Sequence, residues 1–130
     1  MNDIIFRILI AEDEQQFARL FEDALAVEGF LPKVINSLQN METEQTEFIP
    51  DVIIVNAFGL GVRKFEAAEK LHELYPTCPF VVISPLPSVD DCIRSYMLGA
   101  RHFIHKSVDV YTLVEAVCGI THKLSVFQST

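Results

Sequence analysis

Apolar residues along this chain fall into two alternating rhythms. Residues 6–11 (FRILIA) form a near-continuous apolar run of strand length, the mark of a strand covered on both faces. Directly after it Phe17, Leu20, Phe21, Ala24 and Leu25 recur at helical spacing, and Gly29 supplies a stop. Residues 31–36 predict a short second strand. A weaker helical pattern follows, with Leu38, Met41, Gln45 and Phe48 roughly on one face. Pro50 precedes a third apolar strand at 51–55 (DVIIV). Beyond a loop holding Gly59 and Gly61, residues 64–75 predict a helix with Phe65, Ala68, Leu71 and Tyr75 inward. Pro76 and Pro79 bracket the turn into a fourth strand at 80–84. Ser88 with Asp91 forms a capping box opening a helix through Leu98, which Gly99 ends. Residues 102–105 predict a fifth strand, and a last helix buries Val110, Leu113, Val114, Val117 and Leu124.

Five strands alternating with five helices predict right-handed crossovers and a five-stranded parallel sheet covered on both faces, a doubly wound α/β fold of (βα)5 type. The 130 residues suffice for one core, so residues 1–124 are expected to form one domain and 125–130 a tail or linker stub. The longest apolar runs are strand-length, which predicts no membrane span, and MNDIIFR carries no signal-peptide pattern. A formal net charge of −8 argues against a nucleic-acid surface, which needs clustered Lys and Arg. Proteins, cations and small ligands remain as partners. Three cysteines, Cys78, Cys92 and Cys118, are odd in number and lack a C-x-x-C spacing. They point away from disulfides and zinc, towards a reducing cytoplasm, and read as small buried hydrophobes.

Sites in open parallel sheets form beyond the carboxyl ends of the strands, where strand order reverses. The residues following the predicted strands are therefore the candidates. The first strand leads to Glu12, Asp13 and Glu14, the third to Asn56, Ala57 and Phe58, the fourth ends in Ser84 and Pro85, and the fifth leads to Lys106 and Ser107. Paired carboxylates attract a hard divalent cation such as Mg2+, a lysine suits phosphoryl oxygens, and a hydroxyl can donate to the same oxygens. Sheets that cradle a nucleotide or flavin phosphate place Gly, Ser or Thr in the first loop, whereas AEDEQQ repels phosphate unless a cation comes first. Plainer readings stand beside these. Acids opening a helix favour its positive end, Lys106 suits solvent and Ser84 suits a turn. His102 and His105, three apart on a strand, face opposite ways and cannot share a metal, while His72 and His122 read as helix-surface residues.

The segments ILIAEDE, PDVIIVN, PFVVIS and GARHFIHK, in that order, resemble the receiver domain of bacterial two-component response regulators, of the chemotaxis-response-regulator-like, flavodoxin-like type. The resemblance covers essentially the whole chain. It implies that Glu12 and Asp13, with the Phe58 backbone, occupy the Mg2+ positions. Asn56 takes the place of the aspartate that accepts phosphate from a histidine kinase. Ser84 falls at the switch hydroxyl, Phe103 at the switch aromatic and Lys106 at the phosphoryl-binding lysine. Partners implied are a histidine kinase or a downstream signalling protein, with a homodimer possible through the face of the fourth helix, fifth strand and fifth helix. There Asp90, Asp91, Arg94 and Arg101 would supply specificity.

Three departures from the family pattern bear on function. Asn56 is an amide, a far poorer nucleophile than a carboxylate, so neither phosphate acceptance nor strong Mg2+ binding is expected. Leu60 stands where the family usually has proline. Ser107 also replaces a proline, one that is cis-linked to the lysine; a cis bond to a non-proline residue costs about 2.5–4 kcal/mol, which predicts either a trans bond or a strained site here. Pro85 and Pro87 are expected to stiffen the loop after Ser84. These features favour a pseudo-receiver that is not an enzyme and works by protein contact. The alternatives are a phospho-competent receiver with an engineered acceptor and, from another class, a small-ligand or flavin binder.

Overall fold

Each of the five strands begins within a residue of its predicted start, and the alternation along them divides the buried side chains between two cores. A computed structural model describes residues 4–39, 48–107 and 109–128. Its elements are β1 (Arg7–Ala11), α1 (Gln15–Val27), β2 (Leu31–Ile35), β3 (Val52–Asn56), α2 (Glu66–Leu74), β4 (Phe80–Ser84), α3 (Val89–Leu98), β5 (His102–His105) and α4 (Val110–Gln128). All strand pairs are parallel, in the order β2-β1-β3-β4-β5. The expected helix at 38–48 falls mostly on residues 40–47, outside the described residues.

Successive strand residues face opposite ways. Leu9, Ala11, Ile53, Val55, Phe80 and Val82 share one core with Phe65, Ala68 and Leu71. Ile8, Ile10, Val52, Ile54, Val81 and Ile83 share the other with Phe21 and Leu25 of α1 and Leu113 and Val117 of α4. Two-sided burial explains why β3 and β4 are apolar along nearly their whole length: every residue of both is buried. Strand order reverses between β1 and β3, so the crevice of this sheet lies where those two strands end.

Several boundaries and burials differ from the sequence expectation. Asn56 closes β3, paired in register with Ile83, instead of following the strand. Helix α2 starts at Glu66 because Leu60, Gly61 and Phe65 adopt left-handed conformations, with φ of 66°, 67° and 68°. The Phe65 N–H donates to the Ala57 carbonyl at 2.7 Å, closing the loop on itself and turning the Phe65 ring into the core. The Ser88 hydroxyl accepts from the Asp91 N–H as a cap should, at 3.1 Å. The Asp91 carboxylate does not complete the box; it pairs with Lys64 at 2.6 Å. Helix α4 runs on through Leu124 to Gln128. Leu20, expected inward, is 48% exposed. His72, expected on the surface, is half-buried with its ring 5.5 Å from that of Phe80.

The cysteines are all unpaired and half-buried, where full burial was expected; Cys78 and Cys118 sit at the margins of the two cores. Burial, reinforced by the Asp51 carboxylate, pushes the Cys78 thiol up to about 12. Its Sγ donates to the carbonyls of Pro50 and Pro79, both at 3.5 Å. Cys78 is therefore expected to resist iodoacetamide at about pH 8 in the folded protein and to react once urea exposes it. Peptide mapping after alkylation checks this, and prompt native labelling of Cys78 would contradict it.

Candidate functional site

Glu12 follows directly on β1, and its backbone N–H donates to Ile35 O at 3.1 Å, which fixes the start of the loop against the end of β2. Its side chain turns inward, so the residue is only 1% exposed. A buried carboxylate must be paired, because removing a charge from water costs several kcal/mol without a partner, on the order of magnitude known for such groups. Both Glu12 oxygens have partners. Lys106 Nζ donates to Oε1, and Asn56 Nδ2 donates to Oε2 at 2.7 Å. Asn56 is itself satisfied at its other end, since its Oδ1 accepts from the Phe58 N–H at 2.9 Å.

Lys106, carried just past β5, makes a second ion pair with Glu14 Oε2 at 2.6 Å. Its ammonium also lies 4.4 Å from the centre of the Phe17 ring, whose π face attracts a cation. Burial alone would pull this amine towards neutrality. The hydrogen bonds and negative charges of Glu12 and Glu14 outweigh that and hold its pKa above the ordinary lysine value. One ammonium thus stands between two carboxylates, with an amide completing the chain Glu14–Lys106–Glu12–Asn56–Phe58.

Ser84 closes β4 beside this network. The residue is fully buried, and its Oγ has no hydrogen-bond partner among the described residues. Its carbonyl accepts from the Lys106 N–H at 2.8 Å, which sets the backbone of the lysine against the end of β4. The Lys106–Ser107 peptide bond is trans. In place of a proline ring, Ser107 offers a hydroxyl 2.7 Å from His105 Nδ1, while His105 Nε2 lies 3.2 Å from the Pro85 carbonyl. The imidazole thereby bridges the loops after β4 and β5. Phe103 is half-buried against the core shared with Phe65 and Phe80.

The sequence-predicted residues Glu12, Asn56 and Lys106 are thus joined by direct hydrogen bonds, with Ser84 adjacent. Asp13 is not drawn in: it is exposed and makes no hydrogen bond or ion pair among the described residues. Phe58 enters as a donor through its N–H. Two contributors, Phe17 and Gly59, escaped the sequence reading, and a third, Glu14, was a candidate by position to which the family resemblance gave no role. Glu14 reads as a helix-opening acid, and it does occupy the N-cap position of α1, yet it makes no capping bond and reaches the lysine instead. Phe17 sits in the apolar period of α1 and reads simply as core. Gly59 approaches Asn56 so closely that a Cβ would lie 3.0 Å from the Asn56 Cβ, so any side chain there would displace the amide. A glycine three residues beyond a strand end was the one legible signal for such contact.

Fold and site together define a doubly wound α/β module with a buried ion network at the carboxyl ends of its strands. The family model for the response regulator receiver domain matches residues 8–118, and the chain belongs to that family: it is a receiver domain of the kind used in two-component signalling. Among curated relatives it is 26% identical over 119 residues to a putative NtrX-like response regulator of Rickettsia felis, covering 88% of this chain and 25% of that protein. It is 27% identical over 128 residues to the transcriptional activator protein IrlR of Burkholderia pseudomallei, covering 95% of this chain and 54% of the relative. The chain therefore spans between a quarter and about half the length of these two relatives. A CheY-like receiver domain protein from Methanospirillum hungatei shares the fold with a TM-score of 0.80 at 21% identity, covering 97% of this chain and 98% of that one.

Proposed function

We propose that this receiver domain signals through protein contact and is not switched by aspartyl phosphate. The observation that carries this reading is the double engagement of Asn56, whose amide nitrogen is given to Glu12 and whose oxygen is held by the Phe58 N–H. Phosphoryl transfer needs an anionic carboxylate oxygen at this position to form an acyl phosphate. An amide whose oxygen already accepts a hydrogen bond supplies neither the charge nor a free electron pair of sufficient basicity. Lys106 and Ser84 stand where a phosphoryl group would be held, but Lys106 is occupied by two carboxylates.

The donor set also fails to fit Mg2+. Of the side chains taken over from the family, Glu12 has both oxygens committed to nitrogen donors, Asn56 adds no charge, and only the Asp13 carboxylate is free to join the Phe58 carbonyl. Mg2+ demands well-placed oxygen ligands and dehydrates reluctantly, so one exposed carboxylate is a poor site. Among the described residues no three His, Cys, Asp or Glu side chains group closely enough to hold a metal ion.

Contact with a histidine kinase, a downstream signalling protein or a second copy is assigned to the face of α3, β5 and α4. On α3, Val89, Ile93, Tyr96 and Met97 form an exposed apolar stripe at helical spacing, with Met97 82% exposed. Asp90 and Arg101 are exposed and available for specificity. Asp91 is not, since it is buried against Lys64, and Arg94 is tied to Glu69 at 2.7 Å. No described helix is long and apolar enough to cross a membrane, and the three unpaired cysteines support a cytoplasmic setting.

Intact-mass spectrometry after incubation with acetyl phosphate and Mg2+ tests the central reading. No adduct is expected on the parent protein. A phosphate adduct stable at neutral pH and lost in base would overturn it. The buried, unpartnered Ser84 hydroxyl favours a second reading, in which the remainder of the site is intact and only the acceptor differs. Asn56→Asp separates the two, because recovered phosphorylation would mean that the lysine and hydroxyl positions still serve a phosphoryl group.

A further inference from the structure

We propose that the Lys106 ammonium is the resident cation of this site and is itself what keeps a divalent metal out. The inference rests on the reading above that the donor set does not fit Mg2+, and it adds the cause. The ammonium is nearly fully buried and lies between two carboxylates that come from opposite ends of one short loop. Glu12 approaches from inside and Glu14 from the solvent side, while the Phe17 ring covers a third direction at 4.4 Å. A point charge held in this way neutralises the same oxygens that a metal would need. Its displacement would leave a buried lysine without an anion, a penalty that binding would have to overcome. Asn56 closes the remaining route, because its NH2 group is turned towards Glu12 Oε2 at 2.7 Å and blocks that oxygen.

The consequence is specific to Lys106. Take the lysine away without adding bulk, and Glu12 and Glu14 become two uncompensated carboxylates beside exposed Asp13, an acidic set that attracts a hard cation. Paramagnetic broadening of amide NMR signals by Mn2+, with Mg2+ as competitor, reads this without any phosphorylation. In the parent protein the Asn56 and Phe58 amides are expected to stay sharp, and the thermal midpoint to be unmoved by Mg2+. In Lys106→Met the same amides are expected to broaden, with affinity for Mg2+ at least about tenfold tighter than in the parent, equivalent to roughly 1.4 kcal/mol. If the variant is unfolded in metal-free buffer, Mg2+ is expected to refold it.

Mn2+ broadening at Asn56 and Phe58 in the parent would overturn the proposal. So would a Lys106→Met protein that binds no better than the parent, or one that stays unfolded with Mg2+ present. The reading of Asn56 as an inert acceptor fails separately, on the appearance of a phosphate adduct by mass, whichever way the metal titration falls.

Discussion

Lys106→Ala is expected to cost about 3–5 kcal/mol of folding stability, because it strips the cation from a carboxylate that is 1% exposed. Glu12 would keep only its bond from the Asn56 amide, and Glu14 would lose its partner and return to water. The size of the loss comes from the orphaned charge and not from the lysine's own burial. Lys106→Ala combined with Glu12→Gln is therefore expected to recover a large part of it, through a neutral side chain that can still accept from Asn56. Urea unfolding of the three proteins checks the expectation. A single variant within about 1 kcal/mol of the parent would mean that the pair is solvated and worth no more than a surface bridge. The pH dependence has a definite sign. The folded lysine pKa lies above its ordinary value, so the contribution is complete below that value and is lost as pH rises through the raised one. Alkaline titration should thus destabilise the parent more than Lys106→Ala.

Phe65→Ala is expected to cost a further 3–5 kcal/mol or so, by opening a cavity where the largest fully buried side chain now sits. The ring also loses the Arg94 guanidinium stacked 4.6 Å from its centre. What distinguishes this position is its backbone. With φ at 68°, any residue with a Cβ is strained by about 1–2 kcal/mol, and alanine inherits that strain while losing the ring. Phe65→Gly is accordingly expected to be no less stable than Phe65→Ala, the reverse of the usual ranking in regular structure. Denaturation midpoints for the pair check it. A glycine variant clearly weaker than alanine would show that the left-handed conformation carries no penalty here.

The fold was legible because two-sided burial writes itself as unbroken apolar runs, and β3 and β4 are the clearest cases. That the sheet is parallel and covered on both faces followed from the alternation of strands and helices. The loop from Ala57 to Phe65 was not legible, since Phe65 continues the helical apolar period perfectly while its backbone turns left-handed to close on Ala57. Periodicity reports which side chains are buried, not which backbone conformation delivers them. The site was legible by position: reading off strand ends found Glu12, Asn56, Ser84 and Lys106. Its wiring was not. Whether Asp13 or Glu14 reaches the lysine depends on which residue after β1 points inward as α1 begins, and three consecutive acids leave that choice to geometry. Asp91 taught the same lesson, since a surface acid by composition became a buried one through Lys64.

The hydrogen bond from Asn56 to Glu12 spans 44 positions of chain, and the ion pair from Lys106 to Glu12 spans 94. Parallel pairing permits no shorter closure, because every ladder must wait for a crossover. Such distant partners meet only after the loops between them have been closed at an entropic cost, so this cluster belongs to the late side of the folding barrier. Its loss in Lys106→Ala should then quicken unfolding and leave the rate of folding nearly unchanged. A cluster formed that late is expected to act chiefly on how long the native state persists.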